Sequence, residues 1–318
     1  MSIISKDIQK AISILENEEL VAIPTETVYG LGGNIFSEKA IQSIFETKQR
    51  PLFNPLIVHI SSLDQLDKIV DEIPEKAKLL AEKFWPGSMT LVLKKNKNIP
   101  NLITAGKDTV AVRIPNHSTT LELLSRLSFP LAAPSANPFN NISPTKPEHV
   151  ERYFKDKLKM VLDGGPCKNG IESTIIGFEA GEPIIYRLGA LAIEEIEGTV
   201  GAVSVMNEKE KNPDAPGMLK KHYAPKTKTI LTTAIDSEIK SHTSSRIGLL
   251  SFSKSHKTKL VAEEIMLSTS LNLQEAASNL YDAMHQLDHL NLDVIIVEKL
   301  PDYGLGKSMN DRLKRAAY

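Results

Sequence analysis

Amphipathic helices and short apolar strands alternate along this chain from its first residues, and that exchange of period 3.6 for period 2 restricts it to the α/β class. Ile4, Ile8, Ala11, Ile12 and Leu15 recur at helical spacing and lead into an apolar strand over 20–23 that stops at Pro24. The same reading predicts helices over 38–47, 75–84 and 119–127, and strands over 56–60, 89–93, 109–113 and near 130–133. A loop rich in Pro, Asn and Ser, 134–147, then leads to strands over 160–163, 173–178 and 184–187. Between 206 and 228 the apolar period is lost and Pro213, Pro216 and Pro225 punctuate charged residues, which reads as a linker. Strands over 229–231, 247–252 and 294–297 with helices over 274–289 and 310–317 follow. The expected organisation is therefore a first α/β domain over 1–205, a linker over 206–228 and a small second α/β domain over 229–318.

Composition narrows the function classes. A chain of 318 residues exceeds the size at which single cores stop growing, which agrees with two domains. Lys and Arg number 38 against 39 Asp and Glu, so no global basic field draws the protein to nucleic acid or to an anionic membrane. The single cysteine, Cys167, excludes an internal disulfide framework and a cysteine-cluster metal site, and it suits a reducing compartment. Lys6, Asp7 and Lys10 stand where a signal peptide needs an apolar core, and no run approaches the ~18 apolar residues of a membrane span. A cytoplasmic location is expected.

Four stretches carry chemistry-bearing residues. In 24–33 (PTETVYGLGG) hydroxyls and glycines follow a strand, where α/β sheets place ligands; the glycine spacing is neither a dinucleotide fingerprint nor a Walker loop, and a structural turn explains it equally well. In 48–55 (KQRPLFNP) Lys48 and Arg50 alternate before two prolines, and an extended backbone would aim both at one anion; the alternative is a solvated helix end. His59 closes an apolar strand, the usual place of a core histidine. Thr109 and Arg113 share one face of an apolar strand, and a buried arginine there needs an anion partner. Ser135, Asn137, Ser143 and Thr145 supply short hydrogen-bonding side chains, while Glu172, Ser173 and Arg187 flank the last strands of the first domain. Cations and hydroxyls near strand ends, with no cysteine or serine triad between them, fit a polyanion bound beside a small polar molecule. Two motifs are set aside. The run 304–308 (GLGKS) lacks the first Walker glycine, Pro301 standing there, and His285 with His289 falls short of a zinc signature.

In order and spacing these stretches, together with Trp85-Pro86-Gly87 and Thr90, 163–175 and 187–190, resemble the YrdC-like domain of threonylcarbamoyl-AMP synthases. Pro216-Gly217-Met218, His222-Tyr223-Ala224-Pro225 and the terminal GLG and RLKRAA look like the longer, two-domain branch. The resemblance implies a YrdC-like twisted, mixed, open sheet with flanking helices, plus a small C-terminal Rossmann-like α/β domain. It implies synthesis of L-threonylcarbamoyladenylate and pyrophosphate from L-threonine, bicarbonate and ATP, for threonylcarbamoyladenosine modification of tRNA. Mg2+ would be held mainly by the ATP phosphates, with no protein metal site and no redox cofactor.

By the same motif match, Lys48 and Arg50 are the catalytic residues. Arg50, Asn54, Thr109, Ser135, Asn137, Ser143, Arg187 and Tyr223 would bind ATP, Tyr223 closing over it from the linker. Thr27, His59, Arg113, Ala133 and Ser173 would hold L-threonine, with Arg113 on its carboxylate. The implied partner is a downstream tRNA threonylcarbamoyl transferase complex, with no membrane and no stable tRNA binding. Where the family has Ser-Gly after the PSAN motif, this chain has Phe139-Asn140-Asn141, and Ala215 replaces a serine in the linker. An RNA-binding module is the main rival, opposed by the neutral charge and 5% aromatic content. A carbamoyl-transfer enzyme of the hydrogenase-maturation type is a third reading, opposed by the lack of zinc-finger cysteines.

Overall fold

The computed structural model describes residues 2–206, 215–219, 222–256 and 258–318. The chain opens with β1 (Ile4–Ser5), α1 (Ile8–Glu16), β2 (Val21–Ile23), β3 (Gly30–Asn34), α2 (Glu38–Lys48) and β4 (Ile57–His59). After a short 3-10 turn come β5 (Val70–Glu72), α3 (Glu75–Phe84), β6 (Met89–Lys95), α4 (Asn101–Thr104), β7 (Thr109–Arg113), α5 (Ser118–Arg126) and β8 (Leu131–Ala132). The first domain ends with α6 (Pro147–Phe154), β9 (Val161–Leu162), β10 (Thr174–Glu179), β11 (Glu182–Arg187), α7 (Ile193–Val200) and β12 (Ser204–Val205). These strands form one mixed sheet in the order β1-β9-β2-β3-β8-β4-β7-β6-β10-β11-β12, with β5 also on β6. The second domain comprises β13 (Lys228–Thr232), α8 (Ile235–Ser241), β14 (Ile247–Ser251), β15 (Val261–Met266), α9 (Leu273–Asp288), β16 (Val294–Glu298) and α10 (Leu305–Ala316).

Side-chain alternation explains how the small domain is layered. Its four strands, in the order β13-β16-β14-β15, are all parallel, so both faces need cover. Ile247, Leu249, Val294 and Ile296 point to α8, whose Ile235 and Ile239 meet them. Leu250, Ile295 and Val297 point the other way, onto Leu280 and Met284 of α9 and Met309 and Leu313 of α10. That second core takes in Tyr223 of the linker and continues into the first domain through Val28, Ile142 and Ile171, so one apolar layer joins the two domains. No helix among the described residues is long and apolar enough to cross a membrane.

The glycine-rich stretch is corrected by the structure. Residues 30–34 form β3, a buried strand paired antiparallel with β2, with Gly32 opposite Val21. A Cβ on Gly33 would lie 3.0 Å from Leu20 Cδ2 and 3.2 Å from Ile44 Cδ1, and one on Gly30 would lie 3.1 Å from Ala133 Cβ. Glycine lets sheet and helix pack closely there without crowding those side chains, against its low strand propensity. Lys48 and Arg50 also differ from expectation: Lys48 ends α2 and Gln49, at φ 53°, caps it in the left-handed region, so the two cations are not on one extended run. Neither is solvated, for both are buried. At Asn140, within the Phe139-Asn140-Asn141 stretch, φ is +68°. Asparagine is among the few side chains that tolerate this region, which keeps the loop path open to a non-glycine residue.

Candidate active site

A cavity of about 50 Å³ lies where the ends of several sheet strands meet the linker. Thr25 and Thr27 of the turn after β2 line it, together with His59 at the end of β4 and Arg113 at the end of β7. Strands β4 and β7 run parallel with His59 opposite Arg113, which puts both side chains at one strand-end position. Ala133, Ser135, Ser173 and Arg187 follow round the wall, and the linker closes it with Pro216, Gly217, His222 and Tyr223.

Nine of the fourteen residues expected from the sequence therefore line this cavity: Thr27, Arg50, His59, Arg113, Ala133, Ser135, Ser173, Arg187 and Tyr223. The other five stand back from it. Lys48 donates to the carbonyls of Ser135 and Asn137, bracing the loop after β8. Asn54 and Asn137 are buried beside Arg50 and Lys48. Ser143 is buried and donates to Glu172 Oε1 at 2.6 Å. Thr109 is half-buried and begins β7, which separates it from Arg113 by roughly 13 Å of strand.

The electrostatics divide the cavity in two. Arg113 pairs with Glu26 at 2.5 Å, and its other bonds run to Thr27 Oγ1 (2.9 Å) and the Gly87 carbonyl (3.1 Å). Glu26 is thus the anion a strand-borne arginine demands, and it was legible as the one carboxylate in the buried PTET turn. On the opposite side, Arg50 donates to the carbonyls of Asn54 (3.2 Å) and Pro55 (2.8 Å), and Arg187 to Ser173 O (2.9 Å), Ser173 Oγ (3.1 Å) and Pro216 O (3.4 Å). Among the described residues no carboxylate forms an ion pair with Lys48, Arg50 or Arg187. Burial, with Arg50 beside it, pushes the Lys48 ammonium well below its ordinary value; burial and Arg187 do the same to Arg50. Burial and then Arg113 bring His59 down to about 3, so its imidazole is neutral, with Nδ1 3.2 Å from the Ile57 carbonyl.

Unpaired polar atoms gather on the cationic side. Both amide atoms of Asn54, Asn137 Oδ1, His222 Nδ1 and the Tyr223 hydroxyl are buried with no hydrogen-bond partner. Such groups are rare in folded proteins and each needs an explanation; a bound polar molecule supplies one. Tyr223, at φ 62°, is held by its surroundings: its ring lies 4.0 Å from His222, 5.9 Å from Tyr281 and 4.9 Å from the Arg312 guanidinium. Among the described residues no group of three or more His, Cys, Asp or Glu side chains could hold a metal ion.

Behind this wall lies a network that local motifs did not reveal. Glu172 accepts from Ser143, from the Tyr281 hydroxyl (3.2 and 3.0 Å) and from Arg312 Nε (2.9 Å). Burial alone would raise this carboxyl; Arg312 and Arg187 outweigh it and hold it below the ordinary range. The two motifs set aside from the sequence are structural here. The GLGKS run opens α10, where Ser308 donates to the Gly189 carbonyl (2.8 Å) and Lys307 meets Glu194 (2.8 Å). His285 approaches the Ser143 carbonyl at 3.2 Å, and His289 Nε2 sits against Arg152.

Comparison with known proteins shows what the chain is similar to. The family model of Sua5, YciO and YrdC, described as "Telomere recombination", matches residues 13–189. The model described as "Threonylcarbamoyl-AMP synthase, C-terminal domain" matches 191–318. The threonylcarbamoyl-AMP synthase of Pyrococcus abyssi is 38% identical over 98% of this chain and 94% of its own. That of Bacillus subtilis is 37% identical over 98% of this chain and 92% of its own. A crystal structure of P. abyssi Sua5 complexed with L-threonine superposes with a TM-score of 0.91 at 38% identity, covering 98% of this chain and 94% of that one.

Proposed function

The chain belongs to the threonylcarbamoyl-AMP synthase family, and from that premise we propose how its own residues run the reaction. The enzyme makes L-threonylcarbamoyladenylate from L-threonine and ATP for tRNA modification. Bicarbonate is the third substrate. The threonine amine takes up the bicarbonate carbon, releasing water, and one oxygen of the resulting carbamate attacks the α-phosphorus of ATP as pyrophosphate leaves. The substrate supplies the nucleophile, so the protein has to position two reactants and stabilise charge on phosphorus.

Three buried cations, none of them in an ion pair with a carboxylate among the described residues, carry this reading. Arg50 repels Lys48 on one side and is repelled by Arg187 on the other in a buried site, and a triphosphate relieves that repulsion while magnesium enters bound to its oxygens. Thr109, Asn54, Ser135, Asn137, Ser143 and Tyr223 complete the nucleotide side. On the other side Arg113 keeps two of its five N–H groups uncommitted by its bonds to Gly87, Thr27 and Glu26, enough for a threonine carboxylate. Thr27, Ser173, neutral His59 and the main chain at Ala133 surround the rest of the amino acid. The three parts of the chain are then a catalytic domain over 1–205, a linker over 206–228 whose Tyr223 closes the nucleotide side, and a bracing domain over 229–318. Residues 207–214 and 220–221 of that linker lie outside the described residues. The product passes to a separate transferase that acts on tRNA, the enzyme itself holding no tRNA stably, and we place it in the cytoplasm.

Pyrophosphate release tests the reading, with threonine and bicarbonate added singly and together and serine in place of threonine. Release that needs both is expected. Arg50→Ala should lower kcat/KM for ATP roughly 10- to 200-fold, as loss of charge-assisted hydrogen bonds implies, and Arg113→Ala should act on the KM for threonine. Release without threonine would discard it.

A further inference from the structure

Resting on the reading of the Arg113 side as the seat of threonine, we infer that Glu26 is a specificity-determining residue. Paired with Arg113, it makes that end of the cavity electroneutral and so selects an amino-acid zwitterion over a carboxylate that lacks the amine. Glu26 is not on the cavity wall. It lies behind Arg113, 5% exposed, on a separate cleft of about 270 Å³ shared with Ser88, Asn116 and Asn169. It therefore acts on a substrate as a charge, beside Arg113 and not in its place. The structure holds that charge firmly. Glu26 Oε1 accepts from Arg113 Nη2 at 2.5 Å and from Ser88 Oγ at 3.0 Å, and Oε2 accepts from the Asn116 amide at 3.0 Å. Asn169 donates from its amide to the Glu26 carbonyl at 2.7 Å and from Nδ2 to Ser88 Oγ at 2.6 Å.

Anchoring Arg113 does not by itself call for a carboxylate, because the Gly87 carbonyl and Thr27 Oγ1 already fix its Nε and Nη1. What Glu26 adds is the opposite charge. Of the described residues lining this end, Thr27 and Ser173 carry hydroxyls, Ala133 is apolar and His59 is neutral. Glu172, the other carboxylate on the wall, is committed to Arg312 at 2.9 Å, and the exposed Lys168 and Glu195 of the cleft behind sum to zero. An Arg113 standing alone would favour any carboxylate: at about 5 Å and an effective dielectric constant of about 20, one unit charge changes the binding of another on the order of 100-fold. Glu26 removes most of that bias. A zwitterion gains at its ammonium what it loses at its carboxylate, whereas an anion only loses.

The test is calorimetry on the full-length protein at about pH 6.5, where an α-amine is charged, with L-threonine bound directly and two probes read by its displacement. (R)-3-Hydroxybutyrate keeps the carboxylate and lacks the amine; L-threoninamide keeps the amine and lacks the carboxylate. The wild type should bind threonine about tenfold or more tighter than either. Glu26→Gln, which keeps the size and a carbonyl acceptor for Arg113, should shift the ratio toward hydroxybutyrate by about tenfold or more and weaken threoninamide. Glu26→Asp, which keeps the charge, should hold the wild-type order, and Arg113→Gln should shift the ratio toward threoninamide. A merely structural role would weaken all three ligands together. Unchanged ratios in Glu26→Gln, a Glu26→Asp protein that behaves like it, or a wild type that takes hydroxybutyrate as tightly as threonine overturns the inference. If Glu26→Gln does not fold, Arg113→Gln decides, and no shift toward threoninamide there overturns it equally. Because binding is read directly, a wild type that discriminates in this way yet releases no pyrophosphate with threonine, bicarbonate and ATP would overturn the proposed reaction and leave the role of Glu26 standing.

Discussion

Glu172→Gln is the sharpest probe of how the two domains are joined. The substitution preserves volume but converts one carboxylate oxygen to an NH2 group, which meets Arg312 Nε or the hydroxyls of Ser143 and Tyr281. Arg312 is fully buried, with 0% exposure, and Glu172 is 5% exposed. Removing one partner of such a pair leaves a buried charge uncompensated, at about 3–5 kcal/mol. For a 318-residue chain with ordinary unfolding entropy per residue, that lowers Tm by roughly 5–7 °C. Asp311 Oδ2, 2.8 Å from Arg312 Nη1, retains part of the compensation, so the lower end is expected. Thermal unfolding of Glu172→Gln, Arg312→Met and the double variant measures it, and the double variant should recover part of the loss because the stranded charge is gone. A Tm change under about 2 °C, or strict additivity in the double variant, would refute the reasoning.

Acid should destabilise the fold through histidines buried in neutral form. His59, by burial and then Arg113, and His285, by burial and then His149, both sit near 3, while the unfolded chain titrates near 6.5. Their contribution is complete above pH 6.5 and falls as pH drops from 6.5 toward 3, by about 1.4 kcal/mol per pH unit for each. His59→Gln should flatten the decline of Tm over that window, and an unchanged slope would contradict it. At Asn140, φ +68° predicts that Asn140→Gly keeps the denaturation midpoint, whereas Asn140→Val lowers stability by about 1–2 kcal/mol; equal midpoints for the two would count against the argument. Gly33→Val, entering space where a Cβ already lies 3.0 Å from Leu20, should cost about 1–3 kcal/mol in urea unfolding.

Where one face of an element is buried, its period is written in the chain, and the predicted helix 75–84 and strand 109–113 coincide with α3 and β7. β3 was hidden because its glycines answer to packing against Leu20 and Ile44, and a period-based reading has no signal for space that must stay empty. Helices α6 and α7 went unseen for their short length, eight residues each. The cavity was legible from motifs because its residues sit in compact runs beside strands. Tyr281 and Arg312 were not, since each meets Glu172 across more than a hundred residues of sequence.

With Pro216, Gly217, His222 and Tyr223 on its wall, the cavity of about 50 Å³ has room for only a few water molecules, well below the 300–1,000 Å³ of small-molecule sites. On the proposed reading, these residues have to move outward to admit a nucleotide before Tyr223 closes over it, so a nucleotide first binds only the fraction of molecules in which they have withdrawn. If one molecule in a hundred is withdrawn, the apparent Kd is about a hundredfold above the intrinsic one. Affinity for ATP in this protein can accordingly be raised by changes that never touch ATP, such as loss of the 2.7 Å bond from the Ala224 amide to the Asn140 carbonyl that tethers the linker to the loop beneath it.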